Sequence, residues 1–94
     1  MISTAEKIER RLRERFAPAH LEIADESAKH VGHAGAATGG GHYACLIVAE
    51  GFRGRAAVER HRAVYEALGD LMKREVHALA LTTLDPEEWS RRVG

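Results

Sequence analysis

The chain has 94 residues, of which 45% are apolar and 30% are charged, so we expect one ordinary globular domain spanning residues 1–94. Its 14 basic and 14 acidic side chains cancel to a formal net charge of zero, which excludes a strong global attraction to nucleic acid or to an anionic membrane. Any binding of nucleic acid must therefore depend on a local patch of positive charge.

The expected location follows from the single cysteine and from the lack of long apolar segments. Cys45 cannot form an internal disulfide, which fits a reducing compartment. The longest strongly apolar run, "YACLIVA", is too short to cross a bilayer, and the charged N-terminal segment does not resemble a secretory signal. We therefore predict a cytoplasmic protein with no membrane partner.

The first predicted element is an amphipathic helix over residues 4–16. Ser3 and Glu6 have the spacing of a capping box, and Pro18 prevents the helix from continuing. Its apolar side chains recur at helical spacing: Ala5, Ile8, Leu12 and Phe16. A short strand over residues 20–25 follows, because "HLEIAD" alternates apolar and polar positions.

Two longer elements follow the glycine-rich segment. "HYACLIVA" predicts a buried strand over residues 42–49. After "EGFRGR" the helical period returns and predicts one continuous helix over residues 56–73. The apolar stripe of this helix comprises Ala57, Val58, His61, Val64, Tyr65, Leu68, Leu71 and Met72.

The last part of the chain predicts a third strand over residues 76–83 and a short final helix. Asp85 is the expected N-cap, Pro86 the first helical residue and Trp89 the residue that docks the helix. The order is therefore α–β–β–α–β–α. An antiparallel first pair and a parallel crossover predict an α+β fold, a three-stranded mixed sheet with helices packed on one face.

Three of the six histidines lie in the segment "HVGHAGAATGGGH", residues 30–42. Imidazole is a common ligand of zinc, iron and copper, and three protein ligands with one open position are typical of catalytic zinc sites. The residues alone leave two interpretations open: a zinc site formed by His30, His33 and His42, or a turn with solvated imidazoles. His77, at the beginning of a strand, is likewise either a structural residue or a ligand.

Basic residues are dense in "FRGRAAVERHR", which carries Arg53, Arg55, Arg60 and Arg62. The residues alone leave two interpretations open: a solvated helix face or a nucleic-acid-binding surface. We expect no enzyme, because no nucleophile lies beside a base. His42 and Cys45 are three positions apart on a strand and so point to opposite faces.

Several separate stretches resemble the BolA-like proteins. In chain order they are "DES" at 25–27, His30, "HY" at 42–43, Phe52 and Gly54, "RHR-x-VY" at 60–65, "VHALAL" at 76–81 and "EW" at 88–89. The resemblance covers nearly the whole chain and implies a class II KH-like (BolA-like) fold. It also implies a partner protein that acts with a monothiol glutaredoxin in iron–sulfur cluster trafficking or iron sensing.

The resemblance further implies a two-iron, two-sulfur (2Fe–2S) cluster shared between this chain, the glutaredoxin and glutathione. His77 matches the strand ligand of the family, and His30 best matches the ligand in the loop between the first two strands, with His33 as a substitute. No cofactor is expected to bind tightly to the isolated chain, which would be a monomer or a weak homodimer. The family also includes transcriptional regulators, so a DNA-binding regulator that uses the arginine-rich region is the alternative function.

Overall fold

The computed structural model describes residues 2–27 and 41–94. A turn of 3-10 helix over Glu50–Phe52 follows the second strand. The other elements are, in chain order, α1 (Thr4–Phe16), β1 (His20–Asp25), β2 (Gly41–Val48), α2 (Ala57–Leu68), α3 (Leu71–Arg74), β3 (Val76–Leu84) and α4 (Pro86–Val93). Capping boxes begin α1, at Ser3 and Glu6, and α4, at Asp85 and Glu88, so both predicted N-termini are confirmed.

The three strands form one mixed sheet in the order β1–β2–β3. β1 pairs antiparallel with β2, from His20 opposite Val48 to Asp25 opposite Tyr43. β2 pairs parallel with β3, as expected for two strands joined through helices. The predicted α+β fold with a three-stranded mixed sheet is confirmed.

The hydrophobic core lies on one face of this sheet. Alternate residues of β2 point into it, and α1, α2 and α3 cover them. The core cluster consists of Ile8, Leu12, Tyr43, Cys45, Ile47, Ala49, Phe52, Val64, Leu68, Leu71 and Val76. The opposite face carries small side chains, and several of its residues, such as Ala24, Ala78 and Ala80, are exposed.

The helix predicted over residues 56–73 is divided in the structure. α2 ends at Leu68, and Gly69 then adopts φ +54°, a backbone conformation that glycine accepts without steric cost. The Gly69 N–H donates to the Tyr65 carbonyl, and the chain restarts as the four-residue α3. The single long helix was therefore a wrong prediction, because the apolar residues of α3 continued the helical period across the break.

The buried side of α2 also differs from the predicted stripe. Val58 is 66% exposed and Tyr65 is 40% exposed, whereas Arg60 is buried with Val64 and Leu68. The predicted stripe wrongly included Val58 and Tyr65 and left out Arg60. The spacing of apolar residues cannot show that an arginine is buried, because its partners lie on other elements.

α4 contributes no fully buried residue, and its Trp89 ring stacks on the ring of His20 in β1, with centroids 4.5 Å apart. The stack joins the last helix to the first strand, so Trp89 makes a docking contact of the predicted kind. Within the described ranges, no helix combines the length and the apolar character needed to cross a membrane.

Candidate functional site

His77 lies at an irregularity in the parallel pairing of β2 and β3. Gly41 is opposite Val76, but the next residue of β2, His42, is opposite Ala78. His77 is thus the extra residue of a β-bulge and has no Cα partner in the register. Bulges change the direction of a side chain and are frequent next to functional sites.

The bulge sets which residues of β3 beyond His77 face the core. Val76 belongs to the core, and Leu79 packs against that same core although it is three positions further along the strand. In a regular strand, residues three apart point to opposite faces, so one extra residue must lie between them. His77 is that residue, and it is exposed.

Among the described residues, the ring of His42 is in contact with the ring of His77. The two ring centroids are 5.1 Å apart and the ring planes are inclined by 45°. His42 alternates with the core residues Tyr43 and Cys45, so it points to the face that the helices leave uncovered. Two imidazoles therefore lie together on the uncovered face where β2 and β3 begin.

The backbone of His42 is held from the end of β1. The His42 N–H donates to the Ser27 hydroxyl oxygen at 3.0 Å, and the His42 carbonyl accepts from the Glu26 N–H at 2.7 Å. The Ser27 N–H in turn donates to Asp25, and this bond lowers the pKa of the Asp25 carboxyl. The "DES" segment thus has a structural function, since it fixes the backbone that carries His42.

The beginning of β3 is anchored on the other side by α1. The Glu75 carboxylate accepts a bond of 2.7 Å from the Thr4 hydroxyl and bonds of 3.0 Å from the Lys7 ammonium, and its carbonyl accepts from the Gly41 N–H. Gly41 has no room for a side chain, because a Cβ there would lie 2.5 Å from the ring of Tyr43. Both strand starts are thereby held in place.

The structure does not describe the other two histidines of the glycine-rich segment. His30 and His33, the expected loop ligands, are outside the described residues. Within the ranges that the structure does describe, no three His, Cys, Asp or Glu side chains form a group that could hold a metal ion. Of the histidines that the structure describes, His42 and His77 are the two whose rings are in contact.

The comparison with protein-family models matches residues 12–88 to the model described as BolA-like protein. The chain belongs to the BolA-like family. The relative named DNA-binding transcriptional regulator BolA from Escherichia coli (strain K12) is 39% identical over 84 residues, which cover 89% of this chain and 77% of the relative. The resemblance noted in the sequence is thus confirmed at the level of the family.

Solved structures of BolA-like proteins have the same fold. BolA1 from Arabidopsis thaliana superposes with a TM-score of 0.81 at 33% identity, over 94% of this chain and 97% of that one. The solution structure of BolA1 from Mus musculus gives a TM-score of 0.82 at 30% identity, over 100% of this chain and 74% of that one. The division of the middle helix region therefore occurs within an overall architecture that other BolA-like proteins share.

The four arginines of the alternative DNA site of this BolA-like chain have different surroundings. Arg60 is only 7% exposed and donates to the carbonyls of Arg55 and Thr83 and to the Glu88 carboxylate, the last at 2.7 Å. The expectation that Arg60 contributes to a surface is corrected, because these bonds hold its guanidinium between α2, β3 and α4.

The other three arginines are exposed. Arg53 pairs with Glu50 at 2.7 Å. Within residues 2–27 and 41–94, Arg55 and Arg62 form no ion pair, and both border a shallow cleft that Arg15 of α1 also borders. Arg15 was not part of the predicted set, since it lies on a different helix and only the packing of α1 on α2 brings it near.

Cys45 is buried in the core of the BolA-like fold. Burial raises the pKa of its thiol to about 12, which keeps it protonated and unreactive at neutral pH. His42 points to the opposite face of β2, so the two side chains do not form a dyad. Sequence reasoning missed the proximity of His42 to His77, for which the only local signal was that each begins a strand.

Proposed function

We propose that this BolA-like chain is an adaptor that binds a monothiol glutaredoxin and contributes His77 to a 2Fe–2S cluster held jointly with the glutaredoxin and glutathione. One observation carries the proposal: the His77 imidazole is exposed on the uncovered face of the sheet and lies beside a second imidazole, that of His42. A purely structural histidine would not need to be exposed.

The chemistry of the donor set fits such a centre. Neutral imidazole is a suitable ligand for iron, and its replacement of thiolate raises the potential of a 2Fe–2S cluster. His77 and His42 supply imidazole nitrogens but no thiolate, and the chain's one thiol, Cys45, is buried in the core. Thiolate ligands would therefore have to come from the partner and from glutathione.

The uncovered face of the sheet supports the approach of a partner. It forms a shallow groove, with a volume of about 300 Å³, across the middle of the three strands. Small side chains such as Ala24, Ala44 and Ala80 border this groove, so a partner backbone could come close to the strands. The resemblance to the family implies His30, or His33 in its place, as a second ligand from the loop.

The decisive experiment mixes the chain with cluster-loaded monothiol glutaredoxin and follows visible absorption and circular dichroism. We expect the native chain to give a spectrum distinct from that of the glutaredoxin homodimer, because one iron exchanges thiolate for imidazole. His77→Ala should abolish this change. His20→Ala is the matched control, since it removes an imidazole from the other end of the sheet, and it should behave as the native chain does.

A heterocomplex spectrum that His77→Ala leaves unchanged would show that the ligand assignment is wrong. Far-UV circular dichroism of each variant excludes unfolding as the cause of a loss. Because His77 is exposed, its replacement should leave stability within about 0.5 kcal/mol of the native value.

A DNA-binding regulator is the second candidate, favoured by the names of several bacterial relatives and by the exposed surface of α2. The relatives from Escherichia coli (strain K12) and Haemophilus influenzae are both named DNA-binding transcriptional regulator BolA. On α2, Arg62 lies between Val58 and Tyr65 at helical spacing, and all three are exposed. An exposed cation flanked by an aromatic ring suits contact with a nucleic acid.

This candidate predicts that DNA binding weakens steeply with salt and differs between sequences at fixed salt. Arg55→Ala combined with Arg62→Ala should reduce the slope of log K against log salt by about two, because each arginine releases about one counterion. Arg92→Ala on α4 is the control. Binding that is absent at low salt, or identical for every sequence, would reject a specific regulator.

A further inference from the structure

The separation of the His42 and His77 rings matches the geometry of two imidazoles bound to one metal ion. With metal–nitrogen bonds of about 2.0–2.1 Å and tetrahedral angles, the two ring centroids would lie about 5 Å apart. The observed separation is 5.1 Å. Aromatic rings that only pack together have centroids about 4.5–7 Å apart. The observed separation falls in this range and also agrees with the value of about 5 Å for two imidazoles on one metal ion.

The pair is also held in place before any ligand binds. The His42 backbone is bonded on both sides to the end of β1, and the beginning of β3 is fixed by Glu75, which α1 holds through Thr4 and Lys7. Ligands on fixed strands lose less conformational freedom on binding than ligands on a flexible loop. The backbone that carries the two imidazoles is therefore preorganised for a metal site.

The faces of the two strands give a second reason. Val76 and Tyr43 face the core, so their neighbours His77 and His42 face the uncovered side, where His77 is exposed and His42 is half-buried. The bulge at His77 then keeps Leu79 on the core side.

We infer that His42 and His77 form a two-imidazole ligand pair for a single transition-metal centre, so that His42 is a metal ligand of this chain. The pair suits ions that favour imidazole, such as Zn²⁺, Co²⁺, Ni²⁺ or iron, and leaves the other coordination positions to water or to donors of a partner. The inference rests on the proposed function for His77, and it adds His42 as the second ligand in place of His30 or His33.

The experiment titrates the isolated full chain with Co²⁺ and follows the visible absorption of the bound ion, which reports its coordination geometry. His42→Gln and His77→Ala should each weaken Co²⁺ affinity by more than about tenfold, since even the loss of an outer-sphere partner costs about 10–100-fold. The variant that carries both His42→Gln and His77→Ala should bind Co²⁺ about as weakly as either single variant, because the site requires both imidazoles. His20→Gln is the matched control and should bind as the native chain does.

The result that overturns the inference is a His42→Gln variant that binds Co²⁺ as the native chain does, which would mean that the two rings only pack together. Loss of binding in a His30→Gln, His33→Gln double variant with binding retained in His42→Gln would assign the ligands to the loop instead. The proposed function is tested by a different experiment, and it is wrong if His77→Ala leaves the spectrum of the glutaredoxin complex unchanged. Thermal unfolding of each variant, with His42→Ala as a second substitution at this position, shows whether a loss of Co²⁺ binding comes from a lost ligand or from a lost fold.

Discussion

Arg60 and Arg62 are two positions apart on α2, yet they lie on nearly opposite sides of the helix because two residues advance about 200° around its axis. Arg60 is buried and makes three hydrogen bonds, whereas Arg62 is exposed. Arg60→Met should therefore lower the free energy of unfolding by about 2–3 kcal/mol, since it leaves the carbonyls of Thr83 and Arg55 without this donor. It also removes one of the two donors to the Glu88 carboxylate. Urea unfolding measures this value.

The matched control is Arg62→Met, which removes the same side chain from the solvated side and should change stability by less than about 0.5 kcal/mol. Arg60→Lys should fall between the two, because an ammonium cannot reach all the acceptors that the planar guanidinium spans. Equal stability of Arg60→Met and Arg62→Met would contradict the structural function assigned to Arg60.

At the scale of the element, α4 is held by the carboxylate of Glu88. This carboxylate accepts from the Asp85 N–H and from Arg60, and both bonds, the first more than the second, hold the pKa of Glu88 below its usual value. A lowered pKa in the folded state stabilises the protein above the unfolded pKa of about 4.3, and this contribution is lost as the pH falls through the folded pKa.

Glu88→Gln should test this dependence, because the amide keeps an acceptor for the Asp85 N–H but carries no charge for Arg60. We expect the native chain to have the higher Tm at pH 7 and the difference between the two to close as the pH falls below about 4. Thermal unfolding at several pH values measures it. A difference that stays constant over this range would exclude ionisation of Glu88 as its source.

The elements show which features a sequence reveals and which it does not. The beginnings of α1 and α4 were predictable, because a capping box is a local signal contained in four residues. The break at Gly69 was not predicted, since Leu71 and Met72 continued the apolar period beyond it. The bulge at His77 has no local signal at all, because it exists only in the register of β3 against β2.

At the scale of the whole molecule, the site depends on contacts between distant parts of the chain. His77 was predicted through a resemblance, but its neighbour His42 is brought close only by the parallel pairing of two strands that the α2 and α3 region separates. The burial of Arg60 likewise depends on Glu88, 28 residues further along the chain. Sequence patterns describe such residues singly, whereas their surroundings are set by the tertiary fold.

The core joins these parts into one unit, and a single substitution can test whether they unfold together. Ile8 of α1 is fully buried against the sheet, while Trp89, the only tryptophan, reports on α4 through its stack on His20. Ile8→Ala should cost about 2–4 kcal/mol, a large fraction of the total stability of about 5–15 kcal/mol expected for a small domain. Val58→Ala, at a position 66% exposed, is the control.

If the fold is one cooperative unit, Ile8→Ala shifts the urea midpoint of Trp89 fluorescence and that of far-UV circular dichroism by the same amount, with unchanged slope. The shift reaches Trp89 because Ile8 packs on the core face of β2, β2 pairs with β1, and β1 carries the His20 ring on which Trp89 stacks. A circular dichroism midpoint that falls while the Trp89 midpoint does not would mean that α4 unfolds separately, and the stack with His20 would then be too weak to transmit the loss.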